Sequence, residues 1–486
     1  MKVTVHSGGK IVEYQCEKGK NLLSLLQQHG YRIAAGCGGR GSCGKCRVKV
    51  LGGSFQNEEG GYVLSCRAIV EEDCAIEVFE AAGGGLTYAQ SAPFETDKKD
   101  GFGIALDIGT TTLAFALVDL KTGQTLETRG ELNSQCTFGA DVVSRIVSAN
   151  VGNGPAMQKC ILDQIRQTCL TFAARRSNFE IERLAVCGNT TMLHLFAGKS
   201  VEGIGKYPFQ AEFLETLRLR GKDLGLPVQE VLLLPSVAAY LGADVVAGGV
   251  SCALENGCNL LVDIGTNGEM LLHANGKYFS TSTAAGPCFE GANIECGMGG
   301  LEGAVNTVNR KDGKIEFTTV GGKAPVGICG AGLVDAVALL LRDGTIDETG
   351  AFQSEKERFY VAPDVYVSQK DVRNYQLAKS AILSGIRILL NRAGVGYDDL
   401  NNLYIAGGLG FYLNRENAVA TGLLPAELQH KIRVIGNSAL EGTKMALCGQ
   451  RYLEQAQKLA RATEYIDLSA DEDFMEEYIA NMGFDQ

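Results

Sequence analysis

The chain has 486 residues, of which 45% are hydrophobic and 21% are charged, and its formal net charge is −11. This length predicts about three structural units, and the acidic balance argues against nucleic acid as the main partner, because phosphate binding needs a basic surface. No apolar run has the length of a signal peptide or of a membrane span, so the 16 cysteines are expected to be reduced thiols in the cytoplasm.

Residues 1–82 have the pattern of a small separate module. "KVTVHS" and "KIVEYQC" predict two strands joined by a glycine turn, and "NLLSLLQQHG" predicts a helix that ends at Gly30. Further strands are expected in "CRVKVL", "YVLSCRAIV" and "AIEVFE", after a glycine-rich loop. Residues 83–102 show no periodicity and are interpreted as a linker.

Four cysteines stand out in this module because three of them share a glycine-rich loop. Cys37, Cys43 and Cys46 are followed at a distance by Cys66. This is the spacing logic of a plant-type 2Fe–2S ferredoxin, with one extra residue in the first gap. Structural zinc usually needs two C-x2-C pairs and only one is present, so a zinc site and a disulfide pair are the weaker alternatives.

The chain after residue 102 contains an internal duplication. "LDIGTTT" at 106–112 and "VDIGTNGE" at 262–269 each follow an apolar strand and precede another. A third strand and glycine turn, "IAGGLG", occupies 405–410. We therefore predict two related α/β subdomains, at 103–255 and 256–465.

The repeated turns indicate a nucleotide cleft. Tight turns rich in Gly and Thr offer N–H and hydroxyl donors to phosphate oxygens. Asp107 and Asp263 are expected to face the cleft and to hold Mg²⁺ through water. The phosphate cradle is assigned to six residues and the nucleoside pocket to two glycines: Gly109, Thr110, Thr111, Gly265, Thr266 and Asn267, then Gly407 and Gly408.

On these motifs, residues 103–465 resemble the superfamily of sugar kinases, acetate kinase, heat-shock chaperone ATPases and actin. The resemblance implies two ribonuclease-H-like subdomains that close on ATP. "LDIGTTT" is similar to its first phosphate loop, "VDIGTNGE" to its second and "IAGGLG" to its adenosine loop.

A ferredoxin module fused to this fold resembles the reductive activators of corrinoid proteins. "VCGNTTMLHLFAG", "LPSVAAYLGADVVAG", "AAGPCFEGANIECGMGG" and "GICGAGLVDAVALLL" are also similar to that family. The resemblance implies a corrinoid protein as electron acceptor, a ferredoxin- or flavodoxin-type donor, and ATP-driven reduction of Co(II) to Co(I). Longer members carry additional middle segments that this chain is expected to lack, and a homodimer is left open.

Other polar residues in these motifs are weaker candidates. Asn189 in "GNTT" is expected to face the γ-phosphate or the attacking water, with a structural turn as the equal alternative. Glu290 and Glu269 are candidate cleft groups, and the hydroxyl-rich "STST" at 280–283 is a candidate partner contact. His194 lies on an apolar helix face and is predicted to be a packed histidine.

The remaining singled-out features receive structural interpretations. Cys16 and Cys74 are expected to be ordinary buried thiols. Cys288, Cys296 and Cys329 match no metal-site spacing and are expected to be free thiols. Residues 466–486 contain seven acidic residues and no Lys or Arg, which predicts a solvated tail or helix.

Three other functions compete with corrinoid activation. An activator of a dehydratase-type metalloenzyme would also couple ATP to low-potential electrons, but its cysteines are expected inside the ATPase fold. A ferredoxin-regulated small-molecule kinase would need a catalytic base, and no clear constellation is visible. A non-enzymatic ATP-dependent binding protein would use the cluster structurally.

Overall fold

The computed structural model describes residues 1–7, 10–29, 31, 33, 41, 46–58, 60–78, 93–139, 141–175, 180–354, 357–409 and 412–484. Its three largest sheets have five, six and six strands. Within these residues, no helix is both long and apolar enough to cross a membrane.

The N-terminal sheet has five strands in the order β2-β1-β7-β4-β5, in which β1 pairs with β2 antiparallel and with β7 parallel. This mixed sheet packs against a helix whose N-terminus is capped by the Asn21 side chain. It is the β-grasp arrangement expected of the plant-type ferredoxin module predicted for residues 1–82. The elements are β1 (Lys2–Ser7), β2 (Lys10–Gln15), β3 (Lys20–Asn21), α1 (Leu22–Gln28), β4 (Arg47–Gly52), β5 (Tyr62–Leu64), β6 (Ile69–Val70) and β7 (Cys74–Glu77).

The first large sheet has six strands in the order β10-β9-β8-β11-β13-β12. β8 to β10 form an antiparallel meander, and β8, β11 and β13 run parallel. The elements are β8 (Phe102–Ile108), β9 (Thr112–Asp119), β10 (Thr125–Leu132), α2 (Val142–Ser148), α3 (Gly154–Ala174), β11 (Ile181–Gly188), α4 (Thr190–Ala197), β12 (Leu217–Arg220), β13 (Val228–Leu233) and α5 (Ala243–Ser251).

The second large sheet has the order β23-β22-β14-β15-β16-β24. Its elements, with the small pairs and helices beside them, are β14 (Asn259–Ile264), β15 (Gly268–Ala274), β16 (Lys277–Thr283), β17 (Ala304–Lys311), β18 (Lys314–Thr319), β19 (Gly327–Ile328), α6 (Gly330–Arg342), β20 (Arg358–Ala362), β21 (Val365–Ser368), α7 (Gln369–Ala393), β22 (Asn402–Ala406), α8 (Arg415–Ala420), β23 (Ile432–Gly436), α9 (Ser438–Cys448), α10 (Gln450–Ala462), β24 (Thr463–Tyr465) and α11 (Glu472–Ala480).

The two large sheets share one topology. In each, three antiparallel strands are continued by two parallel strands: β10-β9-β8-β11-β13 in the first sheet and β16-β15-β14-β22-β23 in the second. The repeated Asp-Ile-Gly-Thr turn falls at the same place in both, between the first two strands of each meander. The predicted duplication and the predicted fold class are therefore confirmed.

The hydrophobic cores do not follow the order of the chain. The first core contains buried side chains between residues 104 and 254, those of α9 and α10, and three from the second large sheet, Leu261, Leu271 and Ala406. α9 crosses α5 so closely that a Cβ on Gly442 would lie 1.8 Å from the Ala247 carbonyl oxygen. The first large sheet is therefore covered in part by helices from the C-terminal end of the described chain.

One expectation about polar segments is wrong and another is confirmed in part. Ser280 and Thr281 of "STST" are buried in β16, and their hydroxyls donate to the carbonyls of Glu464 and Ile466, so they face β24 and not a partner. The acidic segment, predicted as a solvated tail or helix, contains the helix α11, which has no buried residue, packs on α7 and carries ion pairs such as Arg387–Glu477. The helix is therefore confirmed, and its contacts with α7 were not predicted.

Candidate functional site

The candidate cluster site of the N-terminal module is described at two of its four predicted cysteine ligands. Cys46 is buried directly before β4, and Cys66 follows β5. The Cys66 N–H points at Cys46 Sγ at 3.5 Å, which is the type of N–H to sulfur contact that stabilises a thiolate ligand. Cys37 and Cys43 lie outside the described residues.

Gly41 packs closely against Arg67, the residue that follows Cys66. Its φ is +74°, which favours glycine, and a Cβ there would lie 2.0 Å from Arg67 Nε. In the sequence Gly41 stands between Cys37 and Cys43.

The first turn of the duplicated unit, phosphate loop 1, is residues 109–111 between β8 and β9. Three hydrogen bonds to its backbone carbonyls hold it in place. Asn133 Nδ2 donates to the Gly109 carbonyl at 2.8 Å, and the Asn133 N–H donates to the Thr111 carbonyl at 2.8 Å. The Arg145 guanidinium donates to the Thr110 carbonyl. The turn is therefore fixed by the segment after β10 and by α2.

The second turn, phosphate loop 2, is residues 265–267 between β14 and β15. It closes through a hydrogen bond from the Gly265 N–H to the Asn267 carbonyl at 3.0 Å. A Cβ on Gly265 would meet Glu290 Oε1 at 3.3 Å, and Thr111 Oγ1 donates to Glu290 Oε2 at 3.2 Å. Glu290 thus lies between the two loops and links the halves of the molecule.

Buried carboxylates surround the same space. Burial raises the pKa of Asp107, partly opposed by hydrogen bonds from Asn437 Nδ2 and from the Cys187 thiol. Burial, with the charges of Asp244, Asp107 and Glu290, raises the pKa of Asp263 to about 8. Glu269 lies opposite Asp263 on β15, and burial raises its pKa strongly. Each carboxylate destabilises the charge of its neighbours, which predicts a strong demand for a cation.

Asp244 is a further candidate for this site and was not among the residues predicted from the sequence. It is the second residue of α5, and burial together with the Asp107 charge raises its pKa to about 7. A Cβ on Gly242 would lie 2.4 Å from Asn189 Cα and 2.8 Å from Asp244 Oδ1, so this glycine allows the two polar residues to approach. The signals in the sequence were an Asp at the start of an apolar helix and its place in the family-like segment "LPSVAAYLGADVVAG".

The Asn189 side chain both caps a helix and contacts phosphate loop 1. It caps α4, because its Oδ1 accepts from the Met192 N–H at 3.0 Å. Its Nδ2 donates to Thr110 Oγ1 at 3.2 Å, which attaches α4 to phosphate loop 1. The structural turn is confirmed, and the same side chain borders the candidate phosphate site.

Gly407 and Gly408 follow β22 and have different surroundings. Gly407 has φ +91°, and a Cβ there would meet the Ile264 carbonyl at 2.5 Å and Asp263 Oδ1 at 2.7 Å. A Cβ on Gly408 would have no described atom within 4 Å. Gly407 is therefore required for the close approach of β22 to β14, whereas Gly408 borders open space where a ligand can lie.

The donor set of this cleft consists of oxygen atoms, which is the chemistry that Mg²⁺ prefers. No three His, Cys, Asp or Glu side chains of the described residues come close enough to hold an ion together. A magnesium ion that keeps several of its waters and contacts few carboxylates directly fits this arrangement. The cleft therefore suits a hydrated Mg²⁺ brought by a polyphosphate.

Residues given structural interpretations behave mainly as predicted. His194 is buried, its Nδ1 lies 2.7 Å from the Thr190 carbonyl, and its Nε2 accepts from the Glu212 N–H, so it is a packed histidine. Cys288, Cys296 and Cys329 are free thiols. Cys74 is buried, whereas Cys16 is only half-buried.

Three family models together match almost the whole chain. The model of the 2Fe-2S iron-sulfur cluster binding domain matches residues 5–71, the RACo middle region matches 102–257, and the C-terminal domain of RACo, the ASKHA domain, matches 257–486. The expectation that a middle segment is missing is therefore wrong, because residues 102–257 are that region.

Relatives are similar over most of their length. The chain is 34% identical over 427 residues to the corrinoid activation enzyme RamQ of Eubacterium limosum, covering 81% of this chain and 72% of the relative. It is 26% identical to the [Co(II) methylated amine-specific corrinoid protein] reductase of Methanosarcina barkeri, covering 79% and 77%. A solved reductive activator for corrinoid, iron-sulfur protein superposes with a TM-score of 0.73 at 27% identity, covering 99% and 98%.

Proposed function

Because the chain belongs to the family of reductive activators of corrinoid proteins, in which an iron–sulfur module is joined to an ASKHA ATPase, we propose the course of its reaction. The protein takes one electron from a low-potential donor and passes it to the Co(II) centre of a corrinoid protein, which becomes Co(I). ATP and water are converted to ADP and phosphate in the same cycle.

The observation that carries this proposal is the pairing of two sites in one chain. Cys46 and Cys66 lie together in the module matched as an iron–sulfur domain. The duplicated unit places two phosphate-type loops and a group of buried carboxylates around one cleft. A kinase or a simple ferredoxin would need only one of these sites.

In the cluster module, we assign the four ligands to Cys37, Cys43, Cys46 and Cys66, and the cluster to the 2Fe–2S type. When bound, the cluster supplies a one-electron carrier. The chain's contribution is to fix the thiolates and to direct N–H groups at their sulfurs, as the Cys66 N–H does toward Cys46. Such hydrogen bonds stabilise negative charge and help to set the reduction potential.

In the nucleotide cleft, we assign binding and hydrolysis to different residues. Loop residues bind the phosphates: Gly109, Thr110, Thr111, Gly265, Thr266 and Asn267. Asp107 and Asp263 orient the waters of Mg²⁺, and Gly407 and Gly408 border the adenosine. Asn189 and Glu290 hold the loops in register through the Thr110 and Thr111 hydroxyls.

Asp244 is the group that we assign to the attacking water. A general base works best when its pKa is near the working pH, and burial raises the pKa of Asp244 to about 7. Its carboxylate can accept the proton that water loses as it attacks the γ-phosphate. Its place at the start of α5 also joins this step to the α5–α9 crossing.

ATP drives the transfer by favouring one arrangement of the two halves. The nucleotide needs no chemical contact with the electron, since it is enough that ATP and ADP stabilise different conformations or partner complexes. A difference of about 1.4 kcal/mol changes such an equilibrium tenfold. Glu290, which contacts both loops, is placed to respond to the γ-phosphate.

The cellular setting is proposed on the same basis. We propose a corrinoid protein as acceptor, a ferredoxin- or flavodoxin-type protein as donor and the cytoplasm as location. The halves that carry the two large sheets are proposed as subdomains at 103–255 and 256–465, after the cluster domain at 1–82 and a linker at 83–102.

The test uses the full chain, purified without oxygen and with its cluster reduced. A Co(II) corrinoid protein is added, and the visible spectrum is followed with and without ATP. The proposal requires Co(I) that accumulates only with ATP, disappears in Cys66→Ser and persists in the matched control Cys74→Ser. A reducible cluster that delivers no electron to any of several corrinoid proteins would refute it in favour of another metalloenzyme as acceptor.

A further inference from the structure

Arg145 is a buried cation directly below phosphate loop 1. It lies on α2 and has 0% of its surface exposed. Its guanidinium donates to the Gly139 and Thr110 carbonyls and lies 3.0 Å from Met192 Sδ and 3.2 Å from Cys136 Sγ. Among the described residues, none of these partners is a carboxylate.

A buried charge without a counter-charge is unfavourable, since removal from water is compensated only by an anion or by many hydrogen bonds. Burial accordingly lowers the pKa of Arg145 from its ordinary value. Its direct contacts are two carbonyl dipoles, a thioether and a thiol, and burial raises the pKa of that Cys136 thiol, which keeps it protonated. The Asp141 carboxylate, which caps α2, lies near enough to favour the positive charge, but among the described residues it makes no hydrogen bond to the guanidinium. The positive charge is therefore balanced only in part by the protein itself.

The contacts of Arg145 also fix the direction of the loop amides. In a trans peptide the C=O and the following N–H point to opposite sides. The Thr110 carbonyl accepts a hydrogen bond from Arg145, and the Gly109 carbonyl accepts one from Asn133 Nδ2, so both carbonyls point toward the Arg145 side of the loop. The N–H groups of Thr111 and Thr110 must then point away from Arg145, as in a backbone nest for anions. Within the described part of the chain, neither N–H donates to a protein acceptor.

We infer that Arg145 is a positioning residue for the nucleotide, because it directs the N–H groups of phosphate loop 1 toward the polyphosphate. The negative charge of the bound phosphates in turn compensates the positive charge of Arg145. The inference deepens the nucleotide-binding part of the proposed function and rests on it. A charge effect grows with the charge of the ligand. A purely structural role would weaken every ligand of the cleft equally.

The experiment measures dissociation constants of ATP, ADP and adenosine for the full chain by calorimetry. Arg145→Met keeps most of the side-chain volume and removes the charge, and Arg145→Lys keeps the charge without the planar fork. We expect Arg145→Met to weaken ATP tenfold or more, ADP less, and adenosine less than twofold. Arg145→Lys should recover part of the preference for ATP. Arg175→Met, an exposed arginine paired with Glu127, is the matched control and should leave all three constants unchanged.

The outcomes separate the inference from the proposed function. Equal weakening of ATP, ADP and adenosine in Arg145→Met, or no weakening at all, would overturn the positioning role. If Arg145→Met does not fold, the comparison of Arg145→Lys with Arg145→Gln serves the same purpose. If the unaltered chain binds neither ATP nor ADP, the nucleotide part of the proposed function fails and the inference fails with it.

Discussion

Replacing Asp263 with asparagine should flatten the pH dependence of stability of the nucleotide-free protein. The pKa of Asp263 is raised by burial and by neighbouring carboxylates from 3.8 to about 8. The folded state then retains a proton that the unfolded chain releases above about pH 4. Raising the pH through this window favours the unfolded chain, so stability falls from about pH 4 until about pH 8.

The size of the effect follows from this shift. Each pH unit within the window costs about 1.4 kcal/mol for one such group. Between pH 6 and 8 the folded carboxyl itself begins to ionise, so the loss from Asp263 is about 2 kcal/mol. For a unit of roughly 250–480 residues, whose unfolding entropy is about 2 cal/mol/K per residue, that loss lowers the melting temperature by roughly 2–4 °C. The asparagine side chain does not titrate, and its introduction also removes one charge that raises the pKa of Glu269.

The assay is thermal unfolding at pH 6 and pH 8 without magnesium or nucleotide. The original chain should lose several degrees over this interval and Asp263→Asn clearly less, while the exposed control Asp312→Asn should follow the original chain. Saturating Mg²⁺ and ATP should reduce the loss in the original chain, because a bound cation favours the ionised carboxylates. An Asp263→Asn variant that loses as much as the original chain would refute the reasoning.

Three further substitutions test separate parts of the site. Asp244→Asn should lower the rate of phosphate release from ATP by about 10²–10⁴-fold while the dissociation constant for ATP changes little, and an unchanged rate would remove it as the base. Gly407→Ala should lower the melting temperature, because its Cβ would meet Ile264 and Asp263, whereas Gly408→Ala should not, and equal effects would contradict the geometry. Gly442→Ala should destabilise the protein by about 1–3 kcal/mol in chemical unfolding, since its Cβ would overlap the Ala247 carbonyl; unaltered unfolding would show that the helices can separate at no cost.

The features predicted from the sequence are those that local chemistry determines. Clustered cysteines and repeated Asp-Ile-Gly-Thr turns are short motifs, and their chemistry does not depend on distant parts of the chain. The duplicated topology followed from two such turns because each sits inside a strand hairpin. These motifs therefore gave the fold class and most of the candidate cleft.

Residues brought to the cleft by tertiary packing had no comparable signal. Asp244 and Arg145 stand on helices and not in the repeated turns that they adjoin. Asp244 lies in the family-like segment "LPSVAAYLGADVVAG", but nothing in that segment marks its carboxylate as a cleft group, and Arg145 belongs to none of the motifs. Ser280 and Thr281 were misjudged because a hydroxyl-rich run gives no sign that a neighbouring strand will cover it. The acidic composition of α11 likewise gave no sign that arginines of α7 would form ion pairs with this segment.

The crossing of α5 and α9 has a consequence for synthesis on the ribosome. α9 is made more than three hundred residues after β8 begins, which takes roughly 15–70 s at 5–20 residues per second. During that time the first large sheet lacks α9 and α10, which cover part of it, and the nucleotide cleft lacks the Asn437 contact to Asp107. The N-terminal core contains only residues from 3–78, so that module can complete its fold while the rest is still being translated. The electron-carrying part of the protein is therefore ready long before the part that uses ATP.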